Sequence, residues 1–514
     1  MNTVVVTDPR VSGGQERLQR LIEMQAASRL AAGDSTLWGP DAEAEASIRL
    51  GWVSRPEQML SLVDDIVSLR HHLTQQGVSR VVLCGMGGSS LAPEVMAKAH
   101  GVALDVVDST HPDHVRELST GDLQDTVVVV SSKSGTTVET ATAKAIFEAA
   151  FRDNGIDPTD RMVIVTDPDS PLHHEARSAG YRVFLGDPMV GGRYSALTAF
   201  GLVPATLAGV DTAAVLSEAT ALHESLSVDT ADNPASILAA ALADLAHDKV
   251  LLPDASSLPG FGDWVEQLVA ESTGKLGRGV LPVVTGSTPP DATLPDTILV
   301  SSAPAADVRV EHTLGAGFVL WEWATALAGI LLGINPFDQP DVESAKKAAR
   351  ALLENLPERP EPTQSEGLSF WVSGVEGAPG RLSDAIAAVY GYIGESGYLA
   401  LQMYTNRLQT ELGSLRDDLA ASCRRPVTVG YGPRFLHSTG QFHKGGPATG
   451  VFIQVEVVAE ADLEIPGYPF SYQQLIDAQA WGDRSVLVER GRPVLTIRVT
   501  SHEDLTRVLP LLRG

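Results

Sequence analysis

Two short stretches place phosphate-seeking groups directly behind apolar runs. In VVLCGMGGSSL the run ends in Gly85, Gly87 and Gly88, and Ser89 and Ser90 open the next helical segment. Glycine lets the backbone approach an anion, which the exposed N–H groups of a helix start then hold. A dinucleotide site uses a similar turn, with an acid about 20 residues on for the ribose, and Asp105 or Asp108 could serve. In VVVVSSKSGTTVET, Ser131, Ser132, Ser134, Thr136 and Thr137 follow a run and precede a helix. Helix capping needs one hydroxyl, for which Thr137 with Glu139 in the first turn would do. Five such groups predict an anion cradle. Two hydroxyl loops without a Walker lysine pattern point to a phosphate monoester rather than a nucleotide.

The elements that must position these loops follow from periodicity. A helical stretch, Glu57 to Gln76, leads to the apolar run Arg80 to Cys84, the Gly/Ser turn and helical Leu91 to His100. Further runs are Leu104 to Val107, Thr126 to Val130, Met162 to Thr166 and Arg182 to Leu185. β-Branched runs separated by helix-length segments predict a parallel, doubly wound sheet. The first α/β domain then spans 50–190, after an N-terminal helical arm over 1–49. A second alternation, 191–355, takes in helical Pro234 to His247, strand-like Lys249 to Leu252, a helix from near Trp264, and strand-like Gly279 to Thr285 and Thr297 to Val300. Helices over Thr313 to Gly333 and Val342 to Leu356 follow. LPERPEPTQSEG, 356–367, reads as an exposed linker. Beyond it, strand-like runs at Phe370 to Val372, Pro426 to Val429, Val451 to Val457 and Ser485 to Val488 mark a C-terminal α/β segment, 368–514, that either folds alone or completes the second sheet.

Composition narrows the function classes. In 514 residues, 38 Lys and Arg stand against 64 Asp and Glu, a formal charge of -26. Such a surface repels phosphate backbones and anionic lipid, so neither nucleic acid nor a membrane is an expected partner. Two cysteines, Cys84 and Cys423, make neither a disulfide framework nor a zinc cluster, and a reducing cytoplasm is the expected compartment. The N-terminal MNTVVVTDPRVSGG has no signal-peptide pattern. Thr313 to Ile334 is long enough to span a membrane, but Glu322 at its centre and the lack of basic flanks predict a buried core helix.

GMGGSSL followed by SSKSGTTVET resembles the sugar isomerase (SIS) domain. VGGRYSALTAFG, EQLVAESTGK, LGINPFDQPDVESAKK and FLHSTGQ are similar to motifs of the glucose-6-phosphate isomerase family. The resemblance implies two SIS domains and reversible isomerisation of glucose 6-phosphate and fructose 6-phosphate through a cis-enediol, in glycolysis and gluconeogenesis, with no metal or organic cofactor. It implies a sugar phosphate held by Ser89, Ser132, Ser134 and Thr137 with the backbone around Gly88 and Lys133, a pocket closed by Gln339, and a homodimer. Arg193 matches the arginine facing the C1 and C2 oxygens, Glu271 the base that moves a proton between C2 and C1, and Gln267 a substrate contact. Lys346 matches the ring-opening lysine and His437 the histidine serving the ring oxygen, with His312 and His443 as rivals. In most members the histidine segment precedes NPFDQP; here it follows, as in the isomerase part of fusions with transaldolase. An isomerase also accepting mannose 6-phosphate and a non-catalytic sugar-phosphate sensor are the alternatives.

Overall fold

The computed structural model describes residues 3–8, 11, 14–254, 257–286, 294–341, 359–377, 379–410, 412 and 414–513. The helical arm expected over 1–49 begins instead with a strand, β1 (Thr3–Val6), before the helices Gly14–Glu23, Ala26–Ala31 and Pro40–Ala46. The three consecutive valines of TVVV suit an extended backbone better than a helix.

Next come β2 (Arg80–Gly85), β3 (Asp105–Val107), β4 (Thr126–Ser131), β5 (Met162–Thr166) and β6 (Arg182–Leu185). They form a wholly parallel sheet in the order 3-2-4-5-6. Every residue of the central strand β4 is buried, as expected of an unalternating valine run covered on both faces. The strands β7 (Lys249–Pro253), β8 (Leu281–Thr285), β9 (Thr297–Ser301) and β10 (Val308–Glu311) make a second parallel sheet, ordered 1-10-9-7-8, with β1 added antiparallel at its edge.

One hydrophobic core joins these two sheets through Ala199–Ala208 and Leu314–Leu332. The latter is the helix that could pass for a membrane span, and 94% of its apolar window is buried inside the protein. Burial pushes the Glu322 carboxyl well above the usual carboxylate range.

The C-terminal segment builds a sheet of its own. It contains β11 (Thr363–Ser365), β12 (Leu368–Ser373), β13 (Tyr398–Tyr404), β14 (Val427–Tyr431), β15 (Gly450–Val457) and β16 (Val494–Val499), ordered 11-12-16-15-13-14. The pairings among β13 to β16 are parallel, and β11 and β12 are antiparallel additions. This sheet has a separate core. It meets the second sheet where Tyr398 and Phe452 pack with Leu251 and Leu281, and the first where Tyr472 and Leu475 pack with Phe147.

Two expectations are corrected here. The described end of the linker is the edge strand β11, turned back onto β12 by Glu366 and Gly367, both at positive φ; that is the two-residue geometry matching strand twist. Ser485 to Val488 is the end of a helix, Tyr472–Glu489, in which Leu475, Ile476, Gln479, Ala480, Asp483, Val486 and Leu487 recur on one buried face. Its start carries a capping box, Ser471 with Gln474. The helix expected over Val342 to Leu356 lies outside the described residues.

Candidate active site

A cavity of about 1060 Å³ opens at the C-terminal ends of the first sheet's strands, where doubly wound sheets take their ligands. Gly88, Ser89, Ser132, Lys133, Ser134, Thr137, Arg193, Gln267, Glu271, Gln339 and His437 all line it. Lys346 is outside the described residues.

The hydroxyl loop leaves β4 and enters the helix Val138–Asp153. Thr137 occupies the N-cap position, yet its side chain makes no capping bond, which leaves its hydroxyl and the first N–H groups of the helix facing the cavity. Ser132 Oγ donates to Thr137 Oγ1 at 3.4 Å, and Ser134 Oγ lies 3.0 Å from Thr136 Oγ1. Lys133 turns its ammonium aside to Asp167, at 2.5 Å, and to the Asp187 carbonyl.

The glycine loop lets two other turns come close. A Cβ on Gly88 would stand 2.0 Å from the Gly192 carbonyl oxygen, and one on Gly87, at φ +54, would meet the His437 Cβ at 3.0 Å. Gly88 thus lets the Arg193 turn approach, and Gly87 the His437 turn.

Glu271 and Gln267 lie one turn apart on the helix Phe261–Thr273, and Gln267 Nε2 donates to Glu271 Oε2 at 3.2 Å and to the His437 carbonyl at 2.6 Å. Arg193 is 5% exposed. Its Nε donates to Ser272 Oγ (2.8 Å), and its Nη2 to the carbonyls of Pro336 (2.7 Å) and Asp338 (3.0 Å). Nη1 reaches Gln339 Oε1 at 2.7 Å and Glu271 Oε1 at 3.3 Å. Four of the guanidinium's five N–H bonds are thus in hydrogen bonds, and Glu271 is its ion-pair partner. The Nη1 contacts are the ones with cavity-lining side chains.

Lys275, just beyond the same helix, holds the carbonyls of Asn335 (2.7 Å) and Asp338 (2.6 Å) and the Asp338 carboxylate (2.6 Å). Burial, and next the nearby Arg193, lower its pKa to about 8 against the opposing pull of Asp338. The loop bearing Gln339 is therefore clamped by Lys275 and Arg193 together.

Of the three histidines, His437 alone lines the cavity. His312 is half-buried and packs against Phe261, with Nδ1 3.1 Å from the Thr313 carbonyl. His443 is bonded to the Tyr398 hydroxyl at 2.8 Å, and burial holds its pKa well below the usual range.

Sequence reasoning gave Glu139 no role beyond the helix's first turn. Its Oε1 in fact lies 3.1 Å from His437 Nε2. The hydroxyl-rich motif gave one signal, since an acid two residues past Thr137 on a cavity-facing turn points the same way. Arg434, three residues before His437, is salt-bridged to Glu94 (2.7 Å) and Asp108 (2.5 Å), which also bind Arg407 at 3.2 and 2.9 Å. Asp108 thus serves an ion cluster and not a ribose. Burial would raise the Glu94 carboxyl, but Arg434, Arg407 and Lys98 together hold it well below the usual range.

Fold and site define the class: a doubly wound α/β protein with a hydroxyl-rich loop, a carboxylate and a guanidinium around one cavity. The phosphoglucose isomerase family model matches residues 53–279. The probable glucose-6-phosphate isomerase of Haloarcula marismortui is 32% identical over 340 residues, covering 53% of this chain and 78% of that protein. The glucose-6-phosphate isomerase of a Cyanothece species is 28% identical over 411 residues, 64% of this chain and 78% of its own. A glucose-6-phosphate isomerase crystal structure from Chlamydia trachomatis shares the fold at a TM-score of 0.52 and 20% identity, over 68% of this chain and 86% of that one. The chain belongs to the phosphoglucose isomerase family.

Proposed function

We propose that Glu271, Arg193, His437 and Lys346 carry the isomerisation in this cavity. The chain is an aldose–ketose isomerase that reversibly interconverts glucose 6-phosphate and fructose 6-phosphate. Ser89, Ser132, Ser134 and Thr137 hold the phosphate. His437, as the imidazolium with Nε2–H on Glu139, delivers its Nδ1 proton to the ring oxygen as the bond from that oxygen to C1 breaks, while the C1 hydroxyl gives its proton to water and C1 becomes the aldehyde. Lys346 assists on the strength of the resemblance.

In the open aldose, Glu271 takes the C2 proton. The C2–H electron pair becomes the C1–C2 double bond, and the carbonyl pair moves onto O1. Arg193 Nη1 meets that oxygen in place of its contacts with Glu271 and Gln339, stabilising charge where it develops. Glu271 then returns the proton to C1, while O2 gives its proton to O1 and C2 becomes the carbonyl. One base reaching two adjacent carbons suits a carboxylate with two oxygens.

The observation that carries this reading is the 3.3 Å approach of Arg193 and Glu271 inside the cavity that also holds the hydroxyl loop. A spectrophotometric assay with fructose 6-phosphate tests it: turnover supports it, and equal turnover of unphosphorylated fructose removes the phosphate cradle from the account. We read the first sheet as the first SIS unit (50–190) and the second as the next (191–355), with the C-terminal sheet supplying His437. Homodimeric assembly rests on the resemblance; cytoplasmic location rests on the cysteine-poor composition.

A further inference from the structure

Glu139 and His437 come from separate layers of the molecule, and their meeting requires the carboxylate to be held in one orientation. The helix Tyr472–Glu489 reaches across to do this. Gln479, 3% exposed, donates from Nε2 to Glu139 Oε1 at 2.8 Å, the same oxygen that lies 3.1 Å from His437 Nε2. An amide can present either its oxygen or its N–H bonds, and Thr110 settles which. Thr110, completely buried, donates its hydroxyl to Gln479 Oε1 at 2.6 Å. With the oxygen engaged on that side, the N–H faces the carboxylate. The helix is itself fixed by its capping box and by Tyr472 and Leu475 in the first sheet's core.

We infer that Gln479 is a positioning residue for ring opening: with Thr110 it fixes Glu139 so that His437 keeps Nε2–H on the carboxylate and turns Nδ1 to the ring oxygen, taking the ring-oxygen proton when the ring closes and, as the imidazolium, giving it back when the ring opens. This deepens the isomerase reading and rests on it. A neutral imidazole carries one N–H, and the acceptor on one nitrogen decides which nitrogen is left to exchange a proton. A charge-assisted bond from a buried amide keeps that acceptor in place. Gln479 lies outside the stretch matched by the family model, residues 53–279.

Gln479→Leu keeps roughly the side chain's size and removes both polar groups. The variant is expected to lower kcat for glucose 6-phosphate by roughly tenfold or more, as a misplaced proton-transfer group does, with KM and the affinity for an open-chain hydroxamate phosphate within about twofold. Thr110→Val should fall in the same direction, Thr110→Ser should restore activity, and the double variant should be no worse than Gln479→Leu. In ¹⁵N-histidine spectra, with His437→Ala for assignment, the Nε2–H form of His437 should give way to mixed tautomers in Gln479→Leu. Wild-type kcat, a loss confined to KM and analogue affinity, or an unchanged tautomer would each overturn the inference. An inactive wild-type enzyme would overturn the isomerase reading instead.

Discussion

At the scale of single residues, the proposed reaction turns on Glu271 as base and Arg193 as the group that meets the O1 charge, and the two stand 3.3 Å apart. Glu271→Gln keeps the shape and loses the basicity, so turnover should fall by about 10² or more, while an open-chain phosphate analogue still binds. Steady-state kinetics beside calorimetric binding would check this, and a tenfold effect or less would remove Glu271 from the role of base. Gly88→Ala should inactivate the enzyme and lower its melting temperature, because a Cβ at 2.0 Å from the Gly192 carbonyl must push the Arg193 turn away. The hydroxyl loop was legible in the sequence because five hydroxyls in seven positions exceed any capping need. Glu139 was not, because an acid in a first turn already complements the helix dipole and its partner lies 298 residues away.

Among the elements, the Lys275 clamp couples the end of the Glu271 helix to the loop of Gln339. Lys275→Met should lower kcat/KM by about tenfold or more, since Arg193 and Gln339 lose the loop they share. The buried ammonium also makes a pH prediction. With the folded-state pKa lowered to about 8 from the ordinary lysine 10.5 of the unfolded chain, the unfolded chain holds more protons between those values and rising pH favours the fold. Denaturant melts of wild type minus Lys275→Met should show a positive slope of unfolding free energy across that window, and a flat difference would count against the shift.

Strand runs with β-branched residues were placed correctly in the first sheet. The miss at Ser485 to Val488 shows the limit of short apolar runs: SVLV suits a strand locally, and only the helical spacing running back to Leu475, with its capping box, decides otherwise. The β11 hairpin was hidden because Pro and Glu dominate the composition around a two-residue turn.

At the scale of the whole molecule, the third sheet is what brings His437 to the first, and a buried ion cluster fastens the joint. Asp108 is completely buried and Glu94 6% exposed, and both depend on Arg407 and Arg434. Arg434→Met leaves carboxylates short of compensation and should cost about 3–5 kcal/mol, read as a lowered denaturation midpoint, with activity lost ahead of global unfolding as the His437 turn detaches. The sequence showed that FLHSTGQ follows NPFDQP instead of preceding it. It could not show that the displaced segment returns to the same cavity, because that depends on contacts between side chains hundreds of residues apart.

The most direct test of the central claim is proton exchange at the reacting carbons. In deuterated water the wild-type enzyme should place deuterium at C1 of fructose 6-phosphate and C2 of glucose 6-phosphate, followed by proton NMR, and Glu271→Gln should abolish that exchange while phosphate binding persists. Exchange continuing at the wild-type rate in Glu271→Gln would contradict the account.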